Sequence, residues 1–554
     1  MQRIEKWKQK AWFSLLLNII LLALLLLIFK PGYETNDDIG IQNIVSGVKG
    51  RSDAHLVYVN YLLGWLLVFA YKICPVHISV YAIAQYLTML FAFTAIAYVL
   101  LNKIKNKSAF WITLALLVPF SYEGYIKLQY TKTAGIASAA GLFLLCFAVT
   151  SGIKAKKMIV CALLLCAVGF MYRNMQFWVE AMLLSAIAIP ILFDQFSKVQ
   201  KGFWIKCTVS GMLLFFVLAV LHFINEASYR SEEWQAYREF NELRTELYDY
   251  GFPDYGKNQE TYEKLGIDMN AYQLYRGWNF EDTDKFTVEV MRQLVALKEK
   301  KVINGAFFRD FFELFPAEFF TIASFNICLL LFVISLLWGD HSRGTWFKLL
   351  YEILMILLLY FYLYYQGRYL YNRVDVGIWL AASLVVLWAL PGERAGFDNR
   401  AGIMLLAAIL CISQGTWNKR WRRNQENKTE KMAQARAEIE QIHSDPGHLY
   451  LNKVGLVSFY DAYGVFDWIP VGMSSNIYAL GGWTTNLPVY FEQLEAYGIK
   501  NPYKDMIGNE KIYLVDNKIE KTMEYIHTYY DAGAKEELVS TIGKLKVYQI
   551  HAGS

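Results

Sequence analysis

Cysteine is scarce wherever it would have to build a scaffold. The chain has seven. Cys146, Cys161, Cys166, Cys207, Cys328 and Cys411 lie in apolar stretches, and Cys74 lies near one. The two long polar segments, 225–312 and 417–554, contain none. That excludes a disulfide framework and the Cys/His spacing of a structural metal site, and leaves the thiols as small buried hydrophobes. Charge is scarce inside the apolar runs, and there is no internal repeat or low-complexity tract. Transporters of the repeat type, with broken helices carrying ionisable residues at mid-membrane, do not read this way. A net charge of +5 is too slight to argue for nucleic acid. No small-residue cleavage site follows the basic start "MQRIEKWKQK", and the apolar run behind it is long for a signal peptide. It reads as a retained first span.

What is abundant is hydrophobic surface: 55% of residues, with 16% aromatic. It comes in runs matching the roughly 20 residues that cross about 30 Å of hydrocarbon as helix. The sequence therefore predicts a polytopic α-helical membrane protein. Spans are expected at 11–29, 79–101, 109–121, 130–150, 158–171, 174–193, 203–224, 316–338, 348–365, 374–390 and 401–416, about eleven in all. Residues 55–73, "HLVYVNYLLGWLLVFAYKI", pose a choice between a further span and a helix lying at the interface. Loop charge decides it. If 55–73 does not cross, one side collects Arg3, Lys6, Lys8 and Lys10 with Lys103, Lys105, Lys107, Lys154, Lys156, Lys157, Lys198, Lys201, Arg343, Lys348, Arg394 and Arg400. The other side keeps chiefly Lys127, Arg173, Arg368 and Arg373. The positive-inside rule then puts the N-terminus in the cytoplasm and residues 30–78 outside. "NKRWRR", 418–423, runs against this pattern, since it would be exterior.

Two units follow. Residues 1–416 form the membrane domain, with exterior segments 30–78 and 225–312; "EEWQAYREFNELRTELYDYGFPDY" reads as one or two amphipathic helices packed over it. Residues 417–554 form an exterior domain opening on a polar helix. Strand-like "LVSFY", "NIYALGG", "KIYLV" and "KLKVYQI", with helical "IEKTMEYIHTYY" between the last two, predict a small α/β fold.

The stretch "PGYETNDDIG", 31–40, sets Glu34, Asp37 and Asp38 against the rim of the bilayer. A solvated acidic turn is the plain alternative, with Asn36 or Asp37 capping the next helix. The acids, however, follow the first span directly, and an amphipathic segment follows them. This "NDD" (Asp37, Asp38), the "H…N…LG" helix (His55, Asn60, Gly64) and the order of spans over essentially the whole chain resemble the GT-C superfamily of integral-membrane glycosyltransferases. Protein O-mannosyltransferases, aminoarabinose lipid A transferases and oligosaccharyltransferases belong to it. The resemblance implies a GT-C-like bundle and an inverting transfer at the exterior face of the cell membrane. The sugar would come from a polyprenyl-phosphate donor, and a glycan, lipid or protein of the cell envelope would accept it.

Such chemistry needs a carboxylate to take the acceptor's proton; Asp38 or Asp37 is the base. The leaving lipid phosphate needs cations. Lys127, Arg173, Arg368 and Arg373 stand at exterior span ends, where snorkelling among tyrosines is the alternative. Glu34, His55 and Glu123 are candidates for holding acceptor or substrate, although a lone His at a helix start more often packs. The sequence assigns no cofactor; Mg or Mn at these acids is an option, though the motif is not DxD. Trp483 in "GGWTTN" could line a carbohydrate groove or simply pack in a turn. Trp178, Trp278, Tyr364 and Tyr365 read as an aromatic belt. The competing functions are a lipid-linked glycan polymerase or ligase, which usually carries its charges in a large late loop, a flippase, and a non-catalytic scaffold.

Overall fold

A computed structural model describes residues 7–74, 77–104, 108–151, 155–196, 201–299, 301–338, 342–368, 371–390 and 399–553. The loop cations Arg3, Lys6, Lys105, Lys107, Lys154, Lys198 and Arg394 lie outside them. Among the described residues, seven helices are long and apolar enough to cross a membrane. They are α1 (Ala11–Ile28), α4 (Val80–Lys103), α6 (Tyr130–Thr150), α7 (Ala155–Tyr172), α8 (Asn174–Phe196), α9 (Lys201–Ser228) and α16 (Arg343–Tyr365). Of the remaining expected spans, 401–416 lies within a longer helix, and three are helical but shorter. α5 (Ala109–Tyr125) and α17 (Asn372–Trp388) have 17 residues each, and α15 (Ala323–Trp338) has 16.

α6 is the axis of the bundle. Its sequence is rich in Ala, Gly and Ser, so neighbouring backbones approach closely. A methyl group on Gly141 would lie 2.7 Å from the Cys166 sulfur, and one on Gly169 of α7 would lie 2.3 Å from the Ser138 hydroxyl. Cys166 thus serves as a small packing residue, and all seven cysteines are unpaired. α9 shows the opposite pattern. Ile205, Met212, Phe215, Phe216 and Phe223 are exposed on it, as expected of a helix turned toward lipid.

α2 (Asn36–Ser46) and α3 (Tyr61–Ile73) join α1 to α4. α3 has 13 residues, a length of about 20 Å at the usual rise, well short of a bilayer core. The amide of Tyr81, at the start of α4, donates to the hydroxyl of Tyr71 near the end of α3. The start of α4 is also bonded to α2, through Gln85 and Asp38. The segment therefore begins and ends at one face of the bundle. Trp65, Leu66, Phe69 and Ile73 are exposed along α3 while Leu63, Gly64 and Leu67 are buried.

The same face carries a helical cap of α10 (Glu232–Asp249), α11 (Gln259–Lys264), α12 (Met269–Arg276), α13 (Val288–Ala296) and α14 (Gly305–Phe319). It is more finely broken than the one or two helices expected. α18 (Asn399–His443) runs unbroken for 45 residues through position 416, so "NKRWRR" lies within a helix and not in a loop.

The C-terminal sheet has the order β4-β3-β5-β7-β6: β3 (Leu449–Asn452), β4 (Ile477–Ala479), β5 (Ile512–Val515), β6 (Lys535–Ile542) and β7 (Leu545–His551). β3 pairs in parallel with β4 and β5, whereas β7 is antiparallel to both β5 and β6. "LVSFY" is not a strand: it forms a turn leading into α19 (Phe459–Ala462), and the strand lies earlier, at "LYLN". The Asn452 side chain accepts from the Val457 amide and holds that turn, a local bond that alternation cannot foresee. The C-terminal domain is bonded to the chain on both sides of α2. Ser474 N donates to the Val48 carbonyl, and Tyr460 Oη to that of Tyr33.

Candidate active site

Two residues of parallel strand position the acids. β1 (Gly32–Tyr33) pairs with β2 (Lys127–Leu128), bringing the end of α1 beside the end of α5. α2 then starts at Asn36, with Thr35 in the cap position. Asn36 and Asp37 are therefore not caps. Asp37 and Asp38 lie in the first helical turn, where the helix dipole favours negative charge.

Consecutive helical positions point in different directions, and the two aspartates part company. Asp38 is fully buried. Its Oδ1 accepts from Tyr81 Oη at 2.8 Å, Gln85 Nε2 at 3.0 Å and Tyr130 N at 3.0 Å; Oδ2 has no partner. Burial pushes its carboxyl up to about 8, against the Tyr81 bond and with help from Asp37. Asp38 thus locks α2 to α4 and to the start of α6. Asp37 is the accessible acid, with its side chain 19% exposed, and its Oδ2 accepts from Arg373 Nη1 at 3.1 Å.

Glu34 and Glu123 belong to a separate cluster. Lys132, fully buried on α6, is ion-paired with both, and lies 2.6 Å from Glu123 Oε2. Lys127 pairs with Glu123 Oε1 at 2.8 Å. Asn372 Nδ2 donates to Glu34 Oε1 at 3.0 Å and to Glu123 Oε2 at 3.1 Å. Two lysines thus neutralise two carboxylates and pin four segments together. This arrangement does not suit Mg or Mn, since each acid is already committed to a cation. Among the described residues no three His, Cys, Asp or Glu side chains gather as a metal set.

Arg173 and Arg373 lie near Tyr130, and Arg368 stands by Asp249, Tyr250 and Tyr371. Arg173 Nη1 donates to Tyr130 Oη at 3.0 Å and to Thr131 Oγ1 at 2.9 Å, and has no carboxylate partner among the described residues. Tyr130 lies within electrostatic reach of Arg173, Asp37, Tyr58 and Arg373. Arg368 pairs with Asp249 at 3.3 Å, and the Tyr371 ring lies under both Arg368 and Arg373. Tyr58 stacks on Tyr130 with centroids 6.5 Å apart, and its hydroxyl accepts from Arg244 of the cap at 2.8 Å. The sheet domain contributes as well. Trp483 packs over Gly40, where a methyl group would meet its ring at 2.8 Å, and lies 5.5 Å from the Tyr58 ring. The cleft is thus walled by the bundle, the cap and the C-terminal domain. Below Tyr58, a small polar pocket of about 60 Å³ is lined by Asn60, Asn174, His222 and Asn225.

His55 is placed elsewhere. Its Nδ1 meets Asp53 Oδ1 at 2.7 Å, its Nε2 meets the Ser228 carbonyl at 3.1 Å, and its ring stacks on Trp234 at 4.2 Å. Both nitrogens are engaged: Nδ1 within its own segment and Nε2 with the end of α9, which is the packing alternative. Sequence reasoning missed Lys132, Asn372, Tyr58, Tyr130 and Arg244. Lys132 follows Lys127 in "KLQYTKTAG", a lysine just inside an apolar span, and that position was a usable signal. Arg244 sits among many charges on an amphipathic helix, where nothing in sequence marks it.

The fold and this cleft define a helical membrane protein with a cation-rich site at one face. Two solved structures are similar to it along the chain. ArnT from Cupriavidus metallidurans in the apo state matches with 97% of each chain covered, 9% identity and a TM-score of 0.40. The same protein bound to undecaprenyl phosphate matches with 96% of this chain and 97% of that one covered, 10% identity and a TM-score of 0.39. Superpositions this loose carry no residue roles across. No family model and no curated protein matches the sequence.

Proposed function

We propose that this protein is an inverting membrane glycosyltransferase. It moves a sugar from a polyprenyl-phosphate donor to a cell-envelope acceptor at the exterior face of the membrane. The observation that carries this reading is the pairing of one accessible carboxylate, Asp37, with Arg373, beside Arg173, which has no acid of its own among the described residues. A base and phosphate-ready cations stand together at the rim of an apolar bundle, where a lipid-borne phosphate diester is confined.

In the reaction, the acceptor hydroxyl gives its proton to Asp37 as its oxygen attacks the anomeric carbon. The carbon–oxygen bond to phosphate breaks, and the electron pair leaves with the lipid phosphate. Arg173 and Arg373 meet that charge through two-pronged N–H donation. The incoming phosphate draws Arg373 from Asp37 and frees the carboxylate. Asp38 is a positioning residue: it has no open path to a substrate and fixes the helix on which Asp37 stands. On this reading Glu34, Glu123, Lys127 and Lys132, bonded to one another, hold the cleft's floor. A polymerase or flippase would not need an accessible acid paired to arginine at this position.

The test is lipid-phosphate release from a polyprenyl-phosphate sugar, with a membrane extract as acceptor. D37N is expected to lose roughly 10²–10⁴-fold in kcat, the usual worth of a general base, while still binding polyprenyl phosphate. Full activity of D37N, or no turnover of any lipid-linked donor by the wild type, overturns the proposal.

A further inference from the structure

Arg244 is 1% exposed, the largest fully buried side chain of the cap. Its neighbours are neutral. Nε and Nη2 donate to Asn241 Oδ1 at 3.0 and 2.9 Å, and Nη2 also donates to Tyr58 Oη at 2.8 Å and Thr245 Oγ1 at 2.9 Å. Nη1 has no protein partner, and no carboxylate lies within ion-pair distance among the described residues. Every other cation of the cleft except Arg173 has one. A buried guanidinium without a counter-charge is costly, and such an arrangement persists where an anion completes it.

The backbone around Arg244 carries the same message. Among the described non-glycine residues only Val57, Trp278 and Asn486 have positive φ. Asn tolerates that region; a β-branched Val and a Trp do not do so freely. Val57, at φ 65°, sits at the centre of a three-residue turn closed by Tyr58 N donating to the Leu56 carbonyl at 2.7 Å, a rare and strained turn type. That turn delivers the Tyr58 hydroxyl to Arg244. Trp278, at φ 68°, lays its indole 5.6 Å from the guanidinium. Strain held on both sides of one buried cation is the pattern of a ligand site.

It comes from a different part of the chain than the cations assigned to the donor phosphate. Arg173 and Arg373 stand at the ends of bundle helices. Arg244 belongs to the cap and bonds the Tyr58 hydroxyl, while Arg173 bonds the hydroxyl of Tyr130, the other ring of the stack. Around that stack four arginines (Arg173, Arg244, Arg368, Arg373) face two carboxylates (Asp37, Asp249), leaving two positive charges. A phosphate diester donor supplies one negative charge. We propose that Arg244, with Tyr58, is a second anion subsite that holds an oxyanion carried by the acceptor. The acceptor is then an anionic envelope molecule bearing a phosphate or carboxylate near the hydroxyl that is glycosylated. This rests on the transferase reading for its acceptor role, but not for the anion site itself.

The test uses the full chain in lipid nanodiscs, with inorganic phosphate and polyprenyl phosphate as probes. Wild type saturated with polyprenyl phosphate should still bind inorganic phosphate. R244Q should lose that binding at least tenfold while holding polyprenyl phosphate within about twofold of wild type. R173Q should show the reverse. R244Q should melt no lower than wild type, because it removes an uncompensated buried charge. Should R244Q fail to fold, Y58F, which deletes one donor and no charge, should still weaken inorganic phosphate several-fold. No phosphate binding to the saturated wild type, or equal loss of both probes in R244Q, overturns the proposal. If wild type binds inorganic phosphate through Arg244 but never binds polyprenyl phosphate, the anion site stands and the transferase reading falls.

Discussion

At the scale of single residues, the two adjacent aspartates divide between positioning and proposed chemistry. Asp38 is enclosed by Tyr81, Gln85 and the Tyr130 amide. Its folded carboxyl, at about 8, lies far above its ordinary 3.8. The native state therefore binds this proton more tightly than the unfolded chain. The stabilisation is complete below about pH 4 and is lost as pH rises through about 8. Glu281, buried and also raised to about 8, slopes the same way, so the informative quantity is a difference. In thermal melts from pH 5 to 9, the Tm of D38N relative to wild type should rise steadily with pH. A flat difference would mean that Asp38 is ionised throughout. D37N, whose side chain faces the cleft, should leave the melting profile nearly unchanged.

Elements are held in place by a few contacts that tolerate no change of size or charge. A methyl group on Gly64 of α3 would lie 2.1 Å from the Ala54 carbonyl oxygen. G64A must push residues 53–60 away from α3 and with them Tyr58; overpacking of this kind costs about 1–3 kcal/mol. A lowered Tm together with weakened inorganic phosphate binding is expected, and an unchanged Tm would show that the segment yields freely. Lys132 joins the segments carrying Glu34 and Glu123. K132M leaves the partly exposed Glu34 without its cation and the buried Glu123 with Lys127 alone, a loss of about 1–3 kcal/mol. Adding E123Q to K132M should recover part of it, which a denaturation series on both variants will read. "NDD", the span order and the helix at 61–73 were legible because they depend on length, hydropathy and charge. The pinning role of Lys132 was not, because it depends on which helix ends meet.

For the whole molecule, the cap, the C-terminal sheet and the acids share one face, and the proposed orientation puts that face outside the cell. In a cysteine-free background, K257C on the cap, at a side chain 69% exposed, should react with an impermeant thiol reagent on intact cells. K157C, exposed near the start of α7, should react only after lysis. The opposite result inverts the topology and removes the acceptor pool assumed above. Removing 444–553 should uncover α2 and Trp483's place over Gly40, and abolish turnover even where the bundle persists in detergent.

Sequence alone determined the class of this molecule: a helical bundle of membrane length, its acids and arginines at one set of helix ends, and most strands of the terminal sheet. These follow from one-dimensional quantities, because apolar length, charge bias between loops and two-residue alternation are local properties of a chain. Tertiary structure alone decided which aspartate is sealed and which is open, that Lys127 serves Glu123 while Arg373 serves Asp37, and that Arg244 has no carboxylate within ion-pair distance among the described residues. Burial and pairing depend on what segments distant in sequence bring to the same point, and Tyr81, Tyr130, Asn372 and Tyr58 reach these groups from across the chain.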